Sequence, residues 1–237
     1  MKNDLKGKVA LIFGGTGEIG LAIAEDLKNA GMVVVRHGKT GAFAADVGER
    51  SQTIGLLEKV IKKHKRVDVA INCISAPIRF APIDKKNWRD FLEQLSVQLK
   101  LAIDSLPQLM AQMKNQGSGT IINVISSVTV GTPPKLYADY VTAKYAVLGL
   151  SKCLAAELKQ NNILVYCISP DFIKTKLTAN FPEKLGEILA NKNPSGKLTL
   201  PRDVASAILL LCSGNHNYSS GDNLIIEGGK IKQHHHV

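Results

Sequence analysis

The chain has 237 residues, 45% of them hydrophobic and 21% charged, which allows one sizeable core and argues against disorder. No apolar run approaches the roughly 18 residues that a membrane helix needs, and the polar Met1–Lys8 leads directly into a strand, so neither a membrane span nor a secretory signal is expected. The formal charge of +10 would attract phosphorylated cofactors, acyl carriers or nucleic acid, but the lysines are dispersed, and the one dense run, Lys62–Arg66, reads as a solvated helix end rather than a nucleic-acid contact.

Short β-branched runs alternate with longer helical patterns along the chain. Val9–Phe13, Met32–Arg36, Val67–Cys73, Thr120–Ser126, Ile163–Ile168 and Asn223–Ile226 predict strands. Ile19–Asn29, Arg50–Lys63, Trp88–Met113, Ala138–Lys159 and Arg202–Leu211 predict helices. Several strands are apolar on both faces, as strands covered by two helical layers must be. The pattern predicts a single α/β domain over residues 1–231, a Rossmann-type doubly wound parallel sheet of about seven strands with helices on both faces, then a tail over 232–237. Between the second strand and Asp46–Val47 there is too little chain for a full crossover helix plus a strand, so a turn or an irregular loop is expected there. Asp171–Leu200 is mostly polar, contains Pro182 and Pro194, and reads as a weakly structured lid inserted in the domain.

The first strand runs into Gly14-Gly15-Thr16-Gly17-Glu18-Ile19-Gly20 and then a helix. Glycine permits the tight turn and the close backbone approach that a pyrophosphate needs, and the helix start supplies free N–H groups at its positive end. Strand, turn and helix in that order predict a dinucleotide site. Glu18 stands where a third glycine would be usual, and its side chain is expected to point to solvent. An acid at the end of the second strand would suit NAD(H), whereas this segment carries Arg36 and Lys39 and no acid. Basic groups favour the 2′-phosphate of NADP(H) over NAD(H). The plainer reading makes both of them solvent-facing loop charges.

Tyr140 and Lys144 fall at i, i+4 on one face of a helix. A lysine ammonium beside a phenol stabilises the phenolate and is expected to lower a pKa that is otherwise near 10. Ser127 lies 13 positions before Tyr140, at the carboxyl end of the fourth strand, where it can hold a substrate carbonyl oxygen. With these residues in view the chain resembles a short-chain dehydrogenase/reductase over nearly its full length, most like the 3-oxoacyl-carrier-protein reductase-like members.

The resemblance implies a catalytic set of Ser127, Tyr140 and Lys144, with Gln98 in the place of the family's helix asparagine. It implies cofactor contacts from Gly14, Thr16, Gly17, Glu18, Ile19 and Gly20 in the turn and from Asp46 and Val47 at the adenine. It adds Asn72 as the first residue of an altered Asn-Asn-Ala-Gly motif, Tyr140 and Lys144 at the nicotinamide ribose, and Pro170, Ile173 and Thr175 at the nicotinamide amide. The implied activity is hydride transfer between NADP(H) and a small ketone or alcohol, with an acyl-type substrate also open. A cofactor sensor without turnover is the alternative. The apolar breadth of the two longest helices, which pair in this family, implies a homodimer or homotetramer.

Scattered through apolar segments, Cys73, Cys153, Cys167 and Cys212 show no metal-type or redox-type pairing and read as buried residues of a cytoplasmic protein, so no metal site is expected. Trp88 reads as a packing anchor, Tyr145 as packing, and Tyr137 as a residue able to line the substrate cleft. His37 and His64 receive no role.

Overall fold

Alternation within strands decides how the layers form. In β1 (Val9–Phe13), Ala10 and Ile12 face one way while Val9, Leu11 and Phe13 face the other, and all five are buried. The first pair joins a core with Ile23 and Leu27 of α1 (Glu18–Asn29) and with Val204, Ile208 and Leu211 of α6 (Pro201–Ser213). The second set packs on Leu56, Leu57 and Val60 of α2 (Arg50–His64), Leu101 and Leu109 of α3 (Trp88–Gln116), and Leu154 and Leu158 of α4 (Ala138–Leu158). The result is helix, sheet, helix.

The computed structural model describes residues 4–233. Its remaining strands are β2 (Val33–Arg36), β3 (Val69–Asn72), β4 (Gly119–Val124), β5 (Ile163–Pro170), β6 (Asn223–Glu227) and β7 (Lys230–Gln233), and the sheet order is β2-β1-β3-β4-β5-β6-β7. All pairings are parallel except β6 with β7. The chain leaves β1 toward β2 on one side and returns to β3 on the other, so the crevice at their carboxyl ends is the topological switch point where ligands bind in such sheets.

Between β2 and α2 the chain makes only a turn-rich loop with a single parallel bridge, Gly38 to Ala44, as the short spacing required. This leaves β2 as an edge of the sheet. Three expectations are corrected. The 171–200 segment holds a further helix, α5 (Glu183–Lys192), with Pro182 at its N-cap and Pro194 just beyond its C-cap; the two prolines bound a helix instead of marking irregular chain. The domain continues past residue 231, because β7 runs to Gln233. A hydrophilic edge strand of this kind lacks the apolar alternation that marks a half-buried one. Of the tail, His234–Val237 lie outside the described residues. Trp88 is 67% exposed and anchors nothing; α3 starts there because Asn87 and Asp90 form a reciprocal capping box.

Candidate active site

The glycine turn brings the ends of β1 and β3 together. Gly14 has φ +78°, and a Cβ there would collide with the carbonyl oxygen of Cys73. A Cβ on Gly20 would collide with the carbonyl of Gly14, so α1 starts closer to the strand than another residue would allow. Gly17 caps α1 without any side-chain bond, leaving first-turn amides directed at the crevice. The stem of Arg36 crosses Gly15 so closely that a Cβ there would lie 2.9 Å from the Arg36 Cβ, and the Thr16 side chain packs on Gly38. Arg36 and Lys39 are exposed beside the turn and make no ion pair among the described residues.

Glu18 is exposed, but its carboxylate is not idle: it accepts a hydrogen bond from the Lys176 amide at 2.7 Å, tying the turn to the lid. Another difference from the sequence reading is His37, which is only 2% exposed. Its Nδ1 accepts from the Gly14 amide at 3.4 Å, and its Nε2 bonds the Ala45 carbonyl at 3.0 Å. Beyond it the carboxylate of Asp46 accepts from the Gly48 amide at 2.9 Å, and Val47 is buried. At the end of β3 the Asn72 Oδ1 is buried without a partner. A cradle that side chains would fill, an unpaired cation beside it and an orphaned amide oxygen fit a phosphate-bearing dinucleotide.

Farther along the sheet edge, Tyr140 and Lys144 line one cavity of about 380 Å³ together with Ser126, Ser127, Ile173 and Thr175. Tyr140 is 7% and Lys144 4% exposed. Lys144 Nζ donates to the Val124 carbonyl at 3.2 Å and lies 5.5 Å from the centre of the Tyr140 ring. The expected lowering of the phenol pKa is not found in the protein alone. Burial pushes Tyr140 up to about 12, with only a partial opposing effect from the Ser126 side chain. Burial also brings Lys144 down to about 8. Dehydration is the largest cause of both shifts.

Sequence spacing singled out Ser127 and left Ser126 aside; the structure places both serines in the cavity, Ser127 opening a short 3-10 turn and the Ser126 side chain opposing part of the rise in the Tyr140 pKa. The only signal was the serine doublet itself, since either member fits a strand end. Gln98 is 2% exposed; its Nε2 donates to Gln94 Oε1 at 2.8 Å, Gln94 in turn donates to the Pro77 carbonyl at 2.8 Å, and Gln98 Oε1 is a buried acceptor without a partner. Pro170 closes β5 and lines the same cavity.

Comparison with known proteins agrees with this geometry. The sequence profile described as Enoyl-(Acyl carrier protein) reductase matches residues 19–230. The chain is 30% identical to a 3-oxoacyl-[acyl-carrier-protein] reductase of Thermotoga maritima, over 96% of this chain and 99% of that one. The chain belongs to the short-chain dehydrogenase/reductase family. Another member, the 3-oxoacyl-[acyl-carrier-protein] reductase of Aquifex aeolicus, is 32% identical over 97% of this chain and 99% of its own. Among solved structures of the family, the 3-ketoacyl-(acyl-carrier-protein) reductase of Brucella melitensis, complexed with NADH, is similar with a TM-score of 0.88 at 26% identity, covering 95% of this chain and 98% of that one. The protein is therefore an oxidoreductase of the NAD(P)-dependent short-chain type. Among the described residues no helix is long and apolar enough to cross a membrane, and no cluster of three or more His, Cys, Asp or Glu side chains could hold a metal ion. Of the cysteines, Cys167 and Cys212 are buried as expected, whereas Cys153 is exposed and Cys73 half-buried.

Proposed function

We propose that this protein is an NADP(H)-preferring carbonyl reductase. The observation that carries the reading is the meeting of Tyr140, Lys144, Ser127 and Ser126 in one cavity beside a glycine turn fit for a dinucleotide. A bound nicotinamide supplies the hydride in this chemistry. Ser127, with Ser126 adjoining, holds the substrate oxygen by hydrogen bonding. Tyr140 delivers a proton to that oxygen as charge develops on it, and its raised pKa keeps the proton in place until then. Lys144, fixed by the Val124 carbonyl, holds a cationic group next to the phenol and orients the cofactor ribose. Gln98 of α3 offers its buried, unpartnered oxygen as a relay acceptor.

The turn residues Gly14, Thr16, Gly17, Glu18, Ile19 and Gly20 would hold the pyrophosphate, Asp46 and Val47 the adenine, and Asn72, Pro170, Ile173 and Thr175 the nicotinamide half. Arg36, packed on the turn and in no ion pair among the described residues, supports NADP(H) over NAD(H). The names of the relatives keep an acyl-type ketone among the candidate substrates. Exposed Trp88, Leu92 and Ile103 on α3 and Tyr145 on α4 support association of two or more copies.

The test is NADPH oxidation by purified protein across a panel of β-keto esters, diketones and quinones. Turnover that Tyr140→Phe abolishes is the expected result. NADPH binding without turnover of any panel member would replace the reductase with a cofactor sensor.

A further inference from the structure

Helix α5 carries an apolar stripe with no core beneath it. Leu185 and Leu189 stand one turn apart and both line the cavity, yet none of the helix's ten residues is buried. A surface helix ordinarily rests such a stripe on packed side chains; this one rests on the open space in front of Tyr140. Phe172 and Phe181, from the segment leading into α5, extend the same surface, with ring centroids 5.2 Å apart.

The adjoining wall is aromatic as well. Tyr137, just ahead of α4, lies 5.4 Å from Phe80, and Phe80 lies 4.6 Å from Phe181, with interplanar angles of 78° and 83°. Rings at these separations and angles are in edge-to-face contact. The loop after β3, the start of α4 and the lid therefore close one side of the cavity with touching rings.

Beyond the reacting end the lining is mostly apolar, its charged and amide side chains there being Asp171, Lys192, Asn193 and Glu227. The Asn193 amide is already engaged, donating to Asp171 Oδ2 at 2.8 Å and to the Lys197 carbonyl at 2.6 Å. A polyhydroxylated substrate would leave its hydroxyls unpartnered against Phe181, Leu185 and Leu189, which costs free energy. A hydrocarbon body would instead withdraw those side chains from water. At about 380 Å³ the cavity lies near the small end of ligand sites, and the nicotinamide takes part of it, so the body has to be compact.

Building on the reductase reading, we infer that the substrate is a ketone carried on a compact, ring-sized or branched hydrocarbon body packed between Tyr137 and α5, with Phe181, Leu185 and Leu189 selecting for it. The excluded class is a ketone without such a hydrocarbon body, such as a ketose or a short acetoacetyl group on a polar arm.

The test compares kcat/KM for 2-decalone, for a ketose and for the acetoacetyl thioester of pantetheine, with NADPH fixed. Decalone should exceed both others by about 10- to 200-fold, the range a hydrophobic pocket can discriminate. Leu189→Asn and Phe181→Ala should lower kcat/KM for decalone through KM, and by a larger factor than for butanedione. Because α5 buries no residue, Leu189→Asn is expected to keep the folded circular-dichroism spectrum. A ketose or the thioester matching decalone, or variants that depress all substrates alike, overturns the inference. Should wild type reduce no ketone at all, the reductase reading fails on its own. Decalone-dependent thermal stabilisation of the NADPH complex then decides the point: a shift lost in Leu189→Asn supports the packing inference, and the absence of any shift overturns it.

Discussion

The imidazole of His37 spans the Gly14 amide and the Ala45 carbonyl, joining the phosphate-type turn to the shortened loop after β2. Accepting at Nδ1 and donating at Nε2 requires the neutral ring. Burial lowers the His37 pKa, with the Ala45 hydrogen bond opposing in part. The unfolded chain takes up this proton as pH falls below the ordinary 6.5, and the folded chain resists. Stability is therefore full above that value and declines as pH falls toward the lower folded pKa.

Thermal unfolding of wild type should drop between pH 7.5 and 5.5, at no more than about 1.4 kcal/mol per pH unit from this one group. His37→Gln should flatten the dependence. His64, also lowered chiefly by burial, contributes in the same direction and remains in the variant, so the difference between the two proteins isolates His37. Parallel pH curves for both would sink the assignment.

What the sequence revealed and what it hid have separate physical causes. The alternation of β-branched runs with amphipathic stretches fixes strands such as Val9–Phe13 to the residue, because their burial on both faces leaves no polar option. The placement of Tyr140 and Lys144 in one cavity followed from helical periodicity. His37 was illegible because its partners are backbone atoms, and no side-chain pattern records those. The choice between Ser126 and Ser127 depends on where β4 ends and a 3-10 turn begins, a boundary that periodicity locates only within a residue or two. The packing of Phe80, Tyr137 and Phe181 joins three distant segments and has no local signature at all.

The two shifted groups of the catalytic pair predict a pH limb. Tyr140, held up to about 12, stays protonated throughout the working range. Lys144, brought down to about 8 by burial, does not. Reductive kcat/KM should fall above about pH 8, approaching tenfold per unit as one proton is lost. Lys144→Met should remove that limb and lower kcat/KM throughout, and Tyr140→Phe should cost about 10²- to 10⁴-fold. A wild-type profile level to pH 10 would rule out the lysine as the titrating group.

Next to Tyr140 in sequence, Asp139 accepts from Lys86 Nζ at 2.8 Å, and the same ammonium donates to the Arg79 carbonyl at 2.7 Å. The two side chains are 2% and 4% exposed. This pair fastens the loop carrying Phe80 to the first turn of α4. Removing one partner leaves the other charge buried, which costs about 3–5 kcal/mol. Lys86→Met or Asp139→Asn alone should lower Tm by about 10 °C in a chain of this size. The double variant should recover part of the loss in a double-mutant cycle. Additive losses would show that the two side chains do not act as a pair.

Arg36 provides the sharpest test of the cofactor preference. Its stem lies on Gly15, and its guanidinium has no acidic partner among the described residues, so the charge is available for a phosphate at the adenosine ribose. A charge-assisted bond of this kind contributes about 1.5–3 kcal/mol, equivalent to about 10- to 100-fold in affinity. Arg36→Asp should weaken NADPH by at least that factor, since it also places a negative charge beside the phosphate. NADH should be unaffected or bind more tightly, because a carboxylate there can accept from the ribose hydroxyls. Lys39→Ala should have a smaller effect, as a flexible ammonium on an exposed loop is less well placed than a planar guanidinium packed on the turn. Fluorescence titration of both cofactors against the three proteins measures each ratio. NADH binding more tightly than NADPH to the wild type would overturn the preference, and an unchanged ratio in Arg36→Asp would remove Arg36 from the site.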